Sequence, residues 1–66
     1  MLKIAICDDD PGFTGSLENL VLEESQSMGI RVNTDVFSDG KTLLKSIQSG
    51  ERYGLIFIDI EMEQVD

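Results

Sequence analysis

The chain has 66 residues and a mass of 7.3 kDa, with 13 acidic and 5 basic side chains, a formal charge of −8 and a pI near 4.1. One cysteine and no histidine exclude an internal disulfide and the ordinary zinc patterns, and the acidic balance argues against non-specific nucleic-acid binding, which needs clustered lysine and arginine. No apolar run approaches the roughly 18 residues of a membrane span, and Met1-Leu2-Lys3 enters a short apolar run with no small-residue cleavage site, so a soluble, cytoplasmic protein without a signal peptide is expected.

The first predicted element is a buried strand, Leu2-Lys3-Ile4-Ala5-Ile6-Cys7, cut off by the loop Asp8-Asp9-Asp10-Pro11-Gly12. Phe13, Leu17, Leu20 and Val21 follow at helical spacing. Asp10 fits the N-cap, Pro11 the first helical position and Gly29 the stop after Met28. Gly12 and Gly15 weaken this helix by about 1 kcal/mol each relative to alanine. Ile30, Val32, Thr34 and Val36 alternate with Arg31, Asn33 and Asp35, a strand with one polar face. After the break Ser38-Asp39-Gly40, the stripe Leu43, Leu44 and Ile47 predicts a short helix closed by Gly50. Leu55-Ile56-Phe57-Ile58 is apolar at every position, the mark of a strand covered on both faces in a parallel sheet. The order β-α-β-α-β predicts an α/β fold with a parallel sheet.

The most apolar strand lies close to the end of the sequence, with nothing after it to cover it. An apolar strand at a sheet edge is a template for pairing with another chain. The expectation is a part of a larger domain, or an edge covered by a partner, with the first favoured because three strands and two helices are about half of a usual α/β domain.

Two strands end in acid. The first delivers Asp8-Asp9-Asp10, and the third delivers Asp59 and then Glu61. In open α/β sheets the working crevice lies outside the carboxyl ends of the strands, where the strand order reverses. With right-handed crossovers, strand one can lie between strands two and three with the helices on opposite faces, which brings the aspartates together. Carboxylates a few ångströms apart repel, so one protonates or a cation enters. A hard divalent ion such as Mg²⁺ is the simplest remedy. It also neutralises a phosphoryl group in transit, and an ionised aspartate is a competent oxygen nucleophile. The pattern points to a metal-assisted phosphoacceptor site.

Plainer readings stand beside this one. Asp10 before Pro11 reads as a helix cap rather than a ligand. Asp8 and Asp9 taken alone read as ordinary strand-end acids more often than as ligands, whereas Asp59, directly after a wholly apolar strand, is the stronger candidate. Glu61 also reads as a solvated charge. Cys7 reads as a small buried hydrophobe and Tyr53 as packing at the amino end of the sheet. Lys3 and Lys41 read as solvated, and Met28 and Met62 as apolar filler.

The runs Ile4-Ala5-Ile6-Cys7-Asp8-Asp9-Asp10-Pro11 and Leu55-Ile56-Phe57-Ile58-Asp59-Ile60-Glu61-Met62, about fifty residues apart, with the turn Phe37-Ser38-Asp39-Gly40 between them, resemble the receiver domain of bacterial response regulators (CheY-like). The flavour of both runs is most similar to regulators that carry a LytTR-type DNA-binding output. The resemblance spans all 66 residues and the N-terminal half of a receiver. It implies a flavodoxin-like sheet, here with strand order 2-1-3, in which Asp59 takes a phosphoryl group from a phosphohistidine on a sensor histidine kinase. It also implies that Mg²⁺ is bound directly by Asp9, directly or through water by Asp8, by Asp59, and by the backbone carbonyl of Glu61. A phosphorylation switch rather than a turnover enzyme, acting on an output domain that regulates transcription, is therefore expected.

The family's Ser/Thr after strand four and Lys after strand five fall beyond Asp66. Glu63 stands where a proline is common, and Gly54 where an aspartate is common. Two alternatives remain. One is self-association through the bare third strand, as a homodimer. The other is a phosphatase of the haloacid dehalogenase type, whose acid spacing Asp59-Ile60-Glu61 mimics, although in that family the nucleophile ends the first strand and a Gly-Thr turn follows.

Overall fold

A computed structural model of the chain describes residues 1–59. It contains β1 (Leu2–Cys7), α1 (Pro11–Ser27), β2 (Val32–Phe37), α2 (Gly40–Gln48) and β3 (Leu55–Ile58). The strands form one parallel sheet in the order β2-β1-β3, the predicted β-α-β-α-β architecture with β1 in the centre. Leu2 to Cys7 pair with Val32 to Phe37 on one side, and Ile4 to Cys7 with Leu55 to Ile58 on the other. Flanked on both edges, Ile4, Ala5, Ile6 and Cys7 are buried. That is why the stretch from Ile4 to Cys7 is continuously apolar rather than alternating.

Side chains alternate across the sheet, and each face meets one helix. Ala5 and Cys7 pack with Leu43 of α2, joined by Phe37 and Tyr53. On the opposite face the Thr34 hydroxyl donates to the Glu18 carboxylate of α1, so Thr34 and its register partner Ile4 look toward α1. The two crossovers therefore put their helices on opposite sides, as right-handed connections require.

The first helix begins at its predicted cap, and both helices end at their predicted glycines. Asp10 caps α1, its carboxylate accepting from the N–H groups of Gly12 and Phe13, with Pro11 in the first turn. Asp39 caps α2 by accepting from the Thr42 N–H at 2.8 Å. Each helix ends at a glycine with positive φ, 73° at Gly29 and 108° at Gly50. The Ile30 N–H reaches Ser25 O and the Gly29 N–H reaches Gln26 O, while Glu51 and Gly50 make the same pair of bonds to Ser46 and Ile47, the double closure of a Schellman motif. This closure explains why β2 starts at Val32 and not at Ile30. The Ile30 N–H is spent on ending the helix before the chain can join the sheet.

Three sequence expectations are revised. Lys3 is not a freely solvated lysine. It pairs with Glu51, lies 3.9 Å from the Asp35 carboxylate and sits 5.6 Å over the Tyr53 ring. Asp35 belongs to the same network and not to a simple polar face, accepting from the Tyr53 hydroxyl at 2.8 Å, while Ser46 Oγ lies 2.9 Å from that hydroxyl. Tyr53 also packs edge-on against Phe37, as its packing role predicts.

The third revision concerns β3. Its four apolar side chains predict cover on both faces, yet each is 37% to 50% exposed. Both helices pack on β1 and β2 rather than on β3, and β1 pairs with only one of its edges. For the same reason the α1 stripe is only partly buried, with Leu17 and Val21 half-buried and Phe13 and Leu20 exposed. Among the described residues no helix is long and apolar enough to cross a membrane.

Gly15 lies inside α1, and a Cβ added there meets nothing within 4 Å. Gly15→Ala is expected to stabilise the chain by about 0.5–1 kcal/mol through helix propensity alone, read as a higher urea midpoint at unchanged slope. A Cβ at Gly12 would stand 3.3 Å from Asp10 Oδ1, so Gly12→Ala is expected to gain less.

Candidate functional site

Backbone bonding carries the strand ladders one residue past each strand. The Asp8 N–H donates to Phe37 O at 3.1 Å, tying the end of β1 to β2, and the Asp59 N–H donates to Cys7 O at 3.1 Å, tying the end of β3 to β1. The two aspartates are therefore fixed by the sheet at neighbouring strand ends, and Asp9 follows directly. Asp8, Asp9 and Asp59 each present a carboxylate oxygen, and the three oxygens lie within 4.8 Å of one another. The juxtaposition expected from the sequence is thus present for these three residues. Glu61, the fourth candidate ligand, lies outside the described residues.

Burial differs across the triad. Asp8 is 7% exposed, Asp59 is intermediate and Asp9 exposed. A buried carboxylate needs hydrogen-bond donors, and Asp8 Oδ1 accepts from the Asp10 N–H at 2.9 Å. That bond draws the Asp8 pKa down. Burial, the negative charge of Asp59 and hydrogen-bonded contact with the Asp9 and Asp59 carboxyls outweigh it, and Asp8 titrates above the ordinary value of 3.8. The site holds more negative charge than its surroundings comfortably support.

The neighbouring candidates fall where their plainer readings put them. The Asp10 carboxylate caps α1 and takes no part in the triad. Lys3, near the amino end of β1, makes its ion pairs with Asp35 and Glu51. Cys7 is buried. Desolvation first, then the charges of Asp39 and Asp8, push its thiol up, leaving it protonated and inert.

The donor chemistry fits a hard cation. Three carboxylate oxygens with no nitrogen or sulfur ligand favour Mg²⁺ or Ca²⁺ over softer metals. Bond lengths of about 2.0–2.6 Å put ligands on opposite sides of such an ion about 4–5 Å apart, and the triad already meets that spacing.

Sequence reading did not find the groove beside the triad. A cleft of about 530 Å³ is lined by Phe13 and Leu17 of α1, Ile6 of β1 and Phe57 of β3 together with the three acids. Phe13 and Leu17 carried a signal only as a helix face; their exposure to a cleft follows from α1 lying over β1 and β2.

Comparison with known proteins returned no family model, no curated protein and no solved structure that matches this chain.

The raised Asp8 pKa fixes a sign. The folded chain holds the Asp8 proton more tightly than the unfolded chain does, so without divalent ions this group's contribution to stability grows as pH falls through its raised pKa and levels off below 3.8. Asp8→Asn keeps an acceptor for the Asp10 N–H and removes the charge. In EDTA at pH 7 it is expected to raise the melting temperature, and this gain is expected to shrink as the pH approaches 4. Millimolar Mg²⁺ is expected to stabilise the unsubstituted chain more than the variant. Thermal melts across pH, with and without the ion, check both.

Proposed function

We propose that this chain works as a phosphoacceptor receiver in a two-component signalling system. The observation that carries the reading is the meeting of Asp59 with Asp8 and Asp9 at adjoining strand ends, within 4.8 Å. It lies beside the place where the order β2-β1-β3 reverses the direction of the crossovers, the usual position of a ligand crevice in an open α/β sheet.

In this reading an Asp59 carboxylate oxygen attacks the phosphorus of a phosphohistidine on a sensor histidine kinase. The new O–P bond forms as the P–N bond breaks, and its electron pair leaves with the imidazole, giving an acyl phosphate on Asp59. Asp8, Asp9 and Asp59, with the backbone carbonyl of Glu61, would hold Mg²⁺, whose charge offsets that of the phosphoryl oxygens. The protein's own part is positional. Strand-end hydrogen bonds hold Asp59 in place while Asp9 stays open to solvent, so the ligand set is assembled before the donor arrives. The product is a modified protein and not a released compound, so the chain acts as a switch on an output domain that regulates transcription. Incubation with acetyl phosphate and Mg²⁺ is expected to add one phosphoryl group, absent in EDTA and absent in Asp59→Ala. Intact mass spectrometry reads it, and labelling that survives Asp59→Ala defeats the assignment.

A second reading has one observation in its favour. All four β3 side chains are exposed, among the described residues nothing pairs with the outer edge of the strand, and the strand carries no lysine, proline or other edge-blocking residue. A second copy pairing along β3 would cover them. Light scattering at micromolar concentration is expected to give a dimer mass that falls to the monomer in Ile56→Lys. A monomer throughout the concentration range overturns this reading and leaves the phosphoacceptor reading untouched.

A further inference from the structure

We infer that Asp10 is the positioning residue of the acidic site. By capping α1 it fixes the backbone N–H that holds one oxygen of Asp8 and leaves the other oxygen to a divalent ion. The inference rests on the ion-binding part of the proposed function and not on phosphoryl transfer.

Asp10 is bonded in both directions along the chain. Its N–H donates to Asp8 Oδ1 at 2.9 Å. Its own Oδ1 accepts from Gly12 N–H at 2.9 Å and Phe13 N–H at 3.3 Å, and its carbonyl accepts from the Thr14 N–H at 3.0 Å. Thr14 in turn is buried and its hydroxyl donates to Pro11 O at 3.1 Å, which anchors the first turn. The extended backbone of an N-cap residue, φ −103° and ψ 103° at Asp10, is maintained by its side-chain bonds to the turn it caps. Those bonds therefore decide where the Asp10 N–H points. Asp8 follows that N–H, because it is the donor that a buried carboxylate at this place requires.

Gly12 supplies an independent observation. It is a poor helix former in the first turn of α1, and a Cβ there would stand 3.3 Å from Asp10 Oδ1, closer than an ordinary contact. The glycine leaves room for the capping carboxylate. In metal sites the groups that orient a ligand matter nearly as much as the ligand itself, and losing one typically costs about 10–100-fold in affinity.

The test is calorimetric titration of MgCl₂ into the chain at about 0.15 M salt, where exposed charges are largely screened. Asp10→Ala is expected to weaken Mg²⁺ binding by about tenfold, whereas Asp10→Asn, which still caps, stays near the unsubstituted value. Gly12→Ala keeps the capping group but crowds it, and is expected to weaken binding even where Asp10→Ala fails to fold. Unchanged affinity in Asp10→Ala or Gly12→Ala, alongside a shifted melting temperature, makes Asp10 a helix cap alone and overturns the inference. Equal losses in Asp10→Asn and Asp10→Ala assign the effect to charge and also overturn it. An unsubstituted chain that takes up no Mg²⁺ removes the ion site itself, a different failure that the first titration reveals.

Discussion

Like charges are held together here by backbone hydrogen bonds. The bonds from Asp8 to Phe37 and from Asp59 to Cys7 extend the two ladders of β1 by one residue each, so folding the sheet forces the carboxylates into one place. Sheet formation and burial of β1 supply the free energy, and the acidic cluster is the stress they impose. Asp8 shows that stress in its upward-shifted pKa. A divalent ion bound there would offset that charge and, by binding only the folded chain, stabilise the fold.

The chain separates its charges along the strand axis. Toward the amino end of the sheet, Lys3 lies among Asp35, Glu51 and the Tyr53 ring, and the Tyr53 hydroxyl closes the network onto Asp35 and Ser46. The cation at that end is matched by neighbouring acids. At the carboxyl end the acids gather without Lys3. One end of the sheet thus pairs opposite charges and the other gathers like ones, with the same central strand running between them.

The groove between α1 and β3 belongs to this arrangement. Because α1 and α2 pack on β1 and β2, the β3 side of the sheet is open on both faces. The acids share a cleft with apolar side chains of α1, β1 and β3. Low-polarity walls on one side strengthen the electrostatics of the site, while exposed Asp9 keeps it reachable from solvent.

The sequence by itself determined the element order, the Asp10 cap of α1, both glycine stops and the parallel sheet, because each depends on local chemistry: a capping carboxylate, a positive φ, a run of apolar residues. It also marked Asp8, Asp9 and Asp59, since acids directly after apolar strands are visible without coordinates. Only the tertiary structure decided that the three share one space, because that depends on β1 lying between β2 and β3. The tertiary fold likewise decided that Lys3 and Asp35 are partners, that β2 begins two residues late, and how far each β3 side chain is exposed among the described residues. The apolar pattern of β3 reports what the strand can bury, whereas its exposure depends on which elements pack against it, and long-range packing is not written in local spacing.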